Sequence, residues 1–187
     1  RGVGTYECRF DAPKHIGGKR VFVRFEGVSL TADVFCNGVR LGSHQGAFNA
    51  FCFEITDLLK PHDNRLVVVA DNAKNADVIP LAGDFTVFGG IYRPVWLMVL
   101  PEVCLSPLDY ASPGVYVSQN NVTESKAQLE VKAVVSMGKQ PLQKCSLKTT
   151  VLNAEGQVVA VSQGGAMVTD SEGRVLIKHK LEIDNPT

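Results

Sequence analysis

The sequence has no excess of charge of either sign: nineteen Lys and Arg stand against nineteen Asp and Glu, with a pI near 7.1. A balanced chain has no electrostatic reason to seek nucleic acid or an anionic membrane, because both partners are held through a cationic face. No apolar run approaches the roughly 20 residues that cross a bilayer as a helix. Length is also lacking, since a (β/α)8 barrel takes about 250 residues and the chain has 187. The five cysteines (Cys8, Cys36, Cys52, Cys104 and Cys145) are odd in number, widely spaced and without a CxxC pair. Zinc sites need clustered ligands, and disulfide frameworks need an even set, so no metal site is expected and the thiols are expected to be buried and free. The four histidines are as scattered. No nucleophile elbow or phosphate-cradling glycine loop occurs, and no cofactor is implied. Asn121-Val122-Thr123 matches the glycosylation pattern formally but reads as a polar turn.

What the chain does have is period two. Val21, Val23 and Phe25 alternate with Phe22, Arg24 and Glu26; Ala32, Val34 and Cys36 alternate with Asp33 and Phe35, then run into Asn37-Gly38. Alternation marks a strand with one buried face, and Asn-Gly accepts the positive φ angles of a tight hairpin. Phe48 to Ile55 is a further strand candidate, followed by one helical turn in which Thr56 is expected to cap and Pro61 to stop. Asn64 to Ala70, apolar at nearly every position, is expected to be covered on both faces. Ile91 to Leu100 is expected as one long strand, with Pro94 marking an edge or bulge. Asp71 to Gly90 is too long for a turn, and connections beyond about 12 to 15 residues tend to be functional.

After Pro101 the character changes. Ala127 to Val135, Cys145 to Leu152, Val158 to Ser162 and Val175 to Ile183 alternate cleanly, with a turn at Asn153 to Gly156 and few aromatics. The first half carries nearly all the Phe and the single Trp96. The expected fold is therefore all-β: a jelly-roll-like β-sandwich over 1–101, then an immunoglobulin-like β-sandwich over 102–187. Both chain ends are expected to be edges of a longer polypeptide.

Several segments together resemble a known family. They are Tyr6, Arg9 and Phe10, Val21 to Val28, Val34 to Gly38, Gly42 to Gly46, Phe53 to Leu59, Asn64 to Val68 and Asp71-Asn72. Most distinctive is Asp84-Phe85 ahead of Gly89-Gly90-Ile91-Tyr92-Arg93-Pro94-Val95-Trp96-Leu97. In this order they are similar to the N-terminal sugar-binding domain of glycoside hydrolase family 2, which holds β-galactosidases, β-glucuronidases and β-mannosidases. The resemblance implies a retaining exo-β-glycosidase, most specifically a β-galactosidase, whose two catalytic glutamates sit in a downstream (β/α)8 barrel, so no catalytic residue is assigned here. Retaining chemistry needs two carboxylates about 5 to 5.5 Å apart. Asp84 takes the place of the family's loop carboxylate that reaches the sugar. Arg93 reads as structural, bracing the loop that carries Asp84, with a sugar contact as its alternative; Glu26 reads as solvent-facing or ion-paired, and Trp96 and Tyr92 as residues packed against the core or a neighbouring domain, with a sugar-stacking platform as their alternative. The partners implied are a β-galactoside and the barrel, with homo-oligomerisation and compartment left open. The resemblance also implies that the second sandwich lacks its last strand. The competing readings are an autonomous carbohydrate-binding module and an adhesion-type pair of sandwiches without ligand, which fold alone does not separate.

Overall fold

In a computed structural model the described residues are 1–73, 77–78, 88–139, 145–164, 166–169 and 174–186. The chain is all-β, built as two compact units, Arg1–Pro101 and Glu102–Thr187. The first contains β1 (Val3–Phe10), β2 (Lys19–Phe25), β3 (Val28–Ser29), β4 (Thr31–Cys36), β5 (Val39–Gln45), β6 (Phe51–Glu54), β7 (Asn64–Asp71), β8 (Gly90–Ile91) and β9 (Val95–Pro101). Two sheets, β1-β7-β4-β5 and β6-β2-β9, enclose the core. From one come Ala32, Val34, Cys36, Leu66, Val68 and Ala70, from the other Val21, Val23, Phe25 and Phe51. The expected hairpin joins β4 to β5 with Asn37 at φ 51° and Gly38 at φ 86°.

Several expectations need correction. β2 is buried on both faces from Arg20 to Val23, Phe22 included, whereas alternation assigned it one buried face. β7 shows the reverse. It is central between β1 and β4, but only alternate residues are buried, and Val67 and Val69 lie half-buried on the outer side. That side carries the solvated pairs Arg65–Glu7 and Arg9–Asp63 on neighbouring positions. Ile91 to Leu100 is not one strand, because Gly90–Ile91 pairs with β3 while Val95–Pro101 pairs with β2, and Pro94 lies in the break. Thr56 does not cap. It lies inside a 3-10 turn, Thr56–Leu58, where its hydroxyl accepts from the Val21 amide and donates to Glu54. Burial alone would push Glu54 up, yet the Arg20 guanidinium and that hydroxyl hold it below the usual carboxylate range. None of the five cysteines forms a disulfide, but only Cys36 is fully buried; Cys8 is exposed on β1, an edge strand. Burial pushes the Cys52 thiol up to about 12.

Aromatic packing at the core is layered. Phe25 stacks on Phe51 at 4.7 Å, and His44 stacks on the opposite side of Phe51 at 4.1 Å. The buried Nε2 of His44 has no hydrogen-bond partner, and burial holds this imidazole below its usual pKa.

The second unit has β10 (Cys104–Leu105), β11 (Val115–Asn120), β12 (Lys126–Ser136), β13 (Leu147–Leu152), β14 (Val158–Gly164), β15 (Ala166–Thr169) and β16 (Val175–Asp184). Four of them run in the order β10-β12-β16-β15, and β11 also pairs with β12. On β16 the expected stripe is found: Val175, Ile177, His179 and Leu181 are buried, while Lys178, Lys180 and Glu182 are exposed. The hairpin β13-β14 forms the second sheet. His179 joins the two layers, its Nδ1 2.8 Å from Thr149 Oγ1 and its Nε2 2.8 Å from the Gly164 carbonyl oxygen. The short strands β10, β11 and β15 fall in stretches rich in Pro, Gly or Ser where no alternation is readable.

The stack makes two expectations testable by chemical denaturation. Phe51→Ala removes its middle ring and should cost about 3–5 kcal/mol. His44 has its folded pKa depressed, so its contribution should be full above about pH 6.5 and fall as pH drops through the depressed value, since the unfolded chain then binds the proton more readily. His44→Phe should flatten stability between pH 7.5 and 5.5, where ordinary carboxylates remain ionised in both states; an unchanged slope would remove His44 as its source.

Candidate functional site

The candidate site is the root of the long connection between β7 and β8. Asp84 lies outside the described residues, so what can be examined is the frame from which its loop springs. On the incoming side β7 ends at Asp71, whose carboxylate accepts from the Ala73 amide at 2.7 Å, a local turn that redirects the chain. Asn72 and Gly2 hold each other reciprocally: the Gly2 amide donates to the Asn72 side-chain oxygen at 2.8 Å, and the Asn72 amide donates to the Gly2 carbonyl at 3.2 Å. β1 and β7 pair along their whole length up to this point, so the incoming stem is fixed to a sheet.

The outgoing stem is held by close approach. A Cβ on Gly89 would stand 2.2 Å from the Asn72 amide nitrogen, and one on Gly90 would stand 1.9 Å from the Tyr6 hydroxyl. Gly90 also has φ 76°, which side-chain-bearing residues rarely adopt. Only glycines let the outgoing chain lie this close to Asn72 and Tyr6. Gly90–Ile91 then pairs with Val28–Ser29, and the Leu30 amide donates to the Asp71 carbonyl, which brings both stems together.

Beyond the strand, Tyr92 and Arg93 lock the exit. The Tyr92 hydroxyl donates to the Ala47 carbonyl at 2.5 Å, and Arg93 Nη1 donates to the Phe48 carbonyl at 3.2 Å and to the Glu26 carbonyl at 3.5 Å. The Arg93 guanidinium also lies over the Tyr92 ring at 5.3 Å. Gly27 has to be small as well, since a Cβ there would reach the Tyr92 hydroxyl at 3.0 Å. Arg93 thus touches two backbone carbonyls and an aromatic face. Glu26 is paired with Arg24 at 2.8 Å, and that hydrogen bond holds its carboxyl below the usual range. Trp96 is not a core residue of this unit, being 53% exposed on the outer side of β9.

At the base of the frame lies an open cavity of about 330 Å³, lined by Arg1, Tyr6, Asn72 and the two glycines. Phe88, beside it in sequence, is 65% exposed. Asn72 and Tyr6 were readable only as parts of an ordered motif; nothing in the period or spacing of their neighbours marks them as the stems' contacts. Among the described residues no group of three or more His, Cys, Asp or Glu is placed to hold a metal ion. No helix there is long and apolar enough to cross a membrane. The frame can position a loop, and among its described polar side chains Asp71, Asn72, Tyr92 and Arg93 bond to backbone groups.

Residues 1–101 match the model of the glycosyl hydrolases family 2 sugar binding domain. A β-glucuronidase of Bacteroides fragilis is 47% identical over 137 residues, 73% of this chain and 20% of that protein. A β-galactosidase of Thermoanaerobacter pseudethanolicus is 31% identical over 191 residues, covering 100% of this chain and 24% of that one. Among solved structures, a candidate β-galactosidase from Bacteroides fragilis is 38% identical with a TM-score of 0.87, covering 99% of this chain and 28% of the other. The chain thus spans about a fifth to a quarter of the length of these curated relatives.

The frame yields a test of its own. Gly90→Ala should destabilise the first unit by about 2 kcal/mol or more through both clash and positive φ. Arg93→Ala should leave the core intact but speed protease cleavage between Asn72 and Phe88. Equal cleavage rates in the Arg93 variant and the parent would show that the guanidinium does not brace the loop.

Proposed function

This chain belongs to glycosyl hydrolase family 2, and on that premise we propose that it is the non-catalytic N-terminal part of a retaining exo-β-glycosidase acting on terminal β-galactosides. The observation that carries the proposal is the clamped root at Asn72, Gly89 and Gly90, inside a unit matching the sugar-binding domain along its length. A loop with both stems fixed on sheets can present Asp84 to a pocket built mainly by the following catalytic barrel. A carboxylate there accepts hydrogen bonds from two sugar hydroxyls and discriminates against analogues that lack them. The nucleophile and the acid/base belong to that barrel.

The 47% identity to a curated β-glucuronidase supports a second reading in which the terminal sugar is a glucuronide. The pocket that decides between the two lies beyond this chain.

For the second unit we propose an immunoglobulin-like sandwich completed by one further strand. Supporting this, the hairpin β13-β14 leaves part of the opposite sheet bare: Val117, on the inward side of β11, is 60% exposed. A cavity of about 640 Å³ opens beside Leu129, Val151 and Ile183. A strand along the free edge of β13 would cover it.

The test is hydrolysis of nitrophenyl β-galactoside and β-glucuronide. The 187-residue chain should be inactive on both, and the full-length enzyme should prefer one by more than about tenfold in kcat/KM. Asp84→Ala in the full-length enzyme should lower kcat/KM by about 10²-fold, the loss expected when two hydrogen bonds to bound sugar are removed. Unchanged turnover would reject the role of Asp84. Saturable galactose binding by the isolated chain, with no barrel encoded downstream, would favour an autonomous module instead.

A further inference from the structure

The segment 107–114 of the second unit is built around one side chain that it does not use internally. Tyr110 is 90% exposed, whereas its neighbours Asp109 and Ala111 are buried. Tyr110 and Ala111 both lie in the left-handed region, at φ 54° and φ 51°, a conformation unfavourable for residues with a Cβ and rarer still twice in succession. Such a backbone persists only where its surroundings over-determine it.

They do so here. The Asp109 carboxylate accepts from the Tyr116 hydroxyl and from Arg174 Nη1 at 3.4 Å. Ser112 Oγ lies 3.0 Å from the Tyr116 hydroxyl and accepts from the Gly114 amide at 3.1 Å. The Ser112 amide donates to the Asp109 carbonyl, and the Lys132 ammonium sits over the Tyr116 ring at 4.5 Å. Gly114 packs against the Ser106 backbone so closely that a Cβ would reach it at 3.1 Å. Asp109, Ser112 and Gly114 on either side of Tyr110 are thus tied to β11, β12 or Arg174, and the ring is held outward on this mount.

From this geometry we infer that Tyr110 is a preformed docking anchor for the catalytic portion of the same polypeptide, inserting its ring into an apolar pocket there that also accepts a hydrogen bond from the phenol. Tyrosine on a rigid support suits this task because it brings large apolar area and a polar tip with little conformational freedom left to lose. The occupant follows from chain length: three quarters or more of each curated relative lies outside the span matched here. The inference rests on the proposed function, since it presumes that portion to be present.

The experiment compares Tyr110→Ala and Tyr110→Phe in the 187-residue chain and in the full-length enzyme, reading the thermal midpoint without substrate. In the short chain both variants should match the parent, because the ring touches nothing. In the full-length enzyme Tyr110→Ala should lower the midpoint by roughly 2–4 °C and speed tryptic separation of the N-terminal units, while Tyr110→Phe should fall between. An alanine variant silent in both proteins, or equally harmful in both, overturns the inference. Failure of the full-length enzyme to cleave either glycoside would refute the proposed function while leaving this comparison readable, since no substrate enters it.

Discussion

One buried amide organises the first unit. Asn64 has no exposed surface, and its side chain uses its full hydrogen-bonding capacity. The oxygen accepts from the Lys60 amide and from Asn37 Nδ2; the nitrogen donates to the Lys60 and Phe10 carbonyls. That single group joins the end of β1, the start of β7, the chain preceding β7 and the turn of the β4-β5 hairpin. An unpaired amide at this depth would be costly, so these four segments are constrained to arrive together. Asn37 extends the network, donating to Leu58 and accepting from the Arg65 amide. Its place in the hairpin therefore serves a tertiary purpose as well as turn chemistry. The β1-β7-β4 register follows, and with it the positions of Tyr6 and Asn72 at the far end of the same strands.

The two units use different means to join their sheets. In the first, a stack of Phe25, Phe51 and His44 fills the space, and hydrophobic burial suffices. The second has few aromatics, and a buried histidine spans the layers through Thr149 and Gly164. Directional bonds there fix which strand faces which, a task that aliphatic side chains alone specify poorly. The same division holds for the two loops of interest: the first unit clamps its loop by steric exclusion at glycines, the second by a carboxylate-centred network.

Alternation made β4, β16 and the first half of β12 legible because there solvent reaches one face more than the other. It failed where tertiary cover overrode that rule. β2 is buried on both sides from Arg20 to Val23, which no local pattern announces for a strand carrying two arginines. The valines of β7 looked fit for double burial, but their outward neighbours are ion pairs drawn from β1, a strand distant in sequence. Pro94 was readable as a disruption, yet the consequence, a change of sheet between Ile91 and Val95, depends on β3 offering a partner. Of the candidate site, the ordered family motif singled out Arg93 and Asp84; Arg93 lies against the Phe48 and Glu26 carbonyls, and Asp84 lies outside the described residues. The roles of Asn72, Gly89 and Gly90 were not legible, since they arise from distances between residues far apart in sequence. Tyr110 and its mount carry no periodicity at all, because their geometry comes from left-handed backbone angles and a buried carboxylate.

The closed root at Asn72 and Gly90 separates two kinds of change in this chain. Stems held by sheet pairing and steric exclusion make the ends of the intervening segment independent of what that segment contains, within the small logarithmic penalty of loop length. Residues 74–87 can then be exchanged, lengthened or recoloured in charge without disturbing the sandwich that carries them. Val78 is the exception, buried in a cluster with Leu30 and Ala47, so a change there would reach the sandwich itself. Changes in the length of that segment and changes in the stability of the sandwich therefore fall largely on different positions.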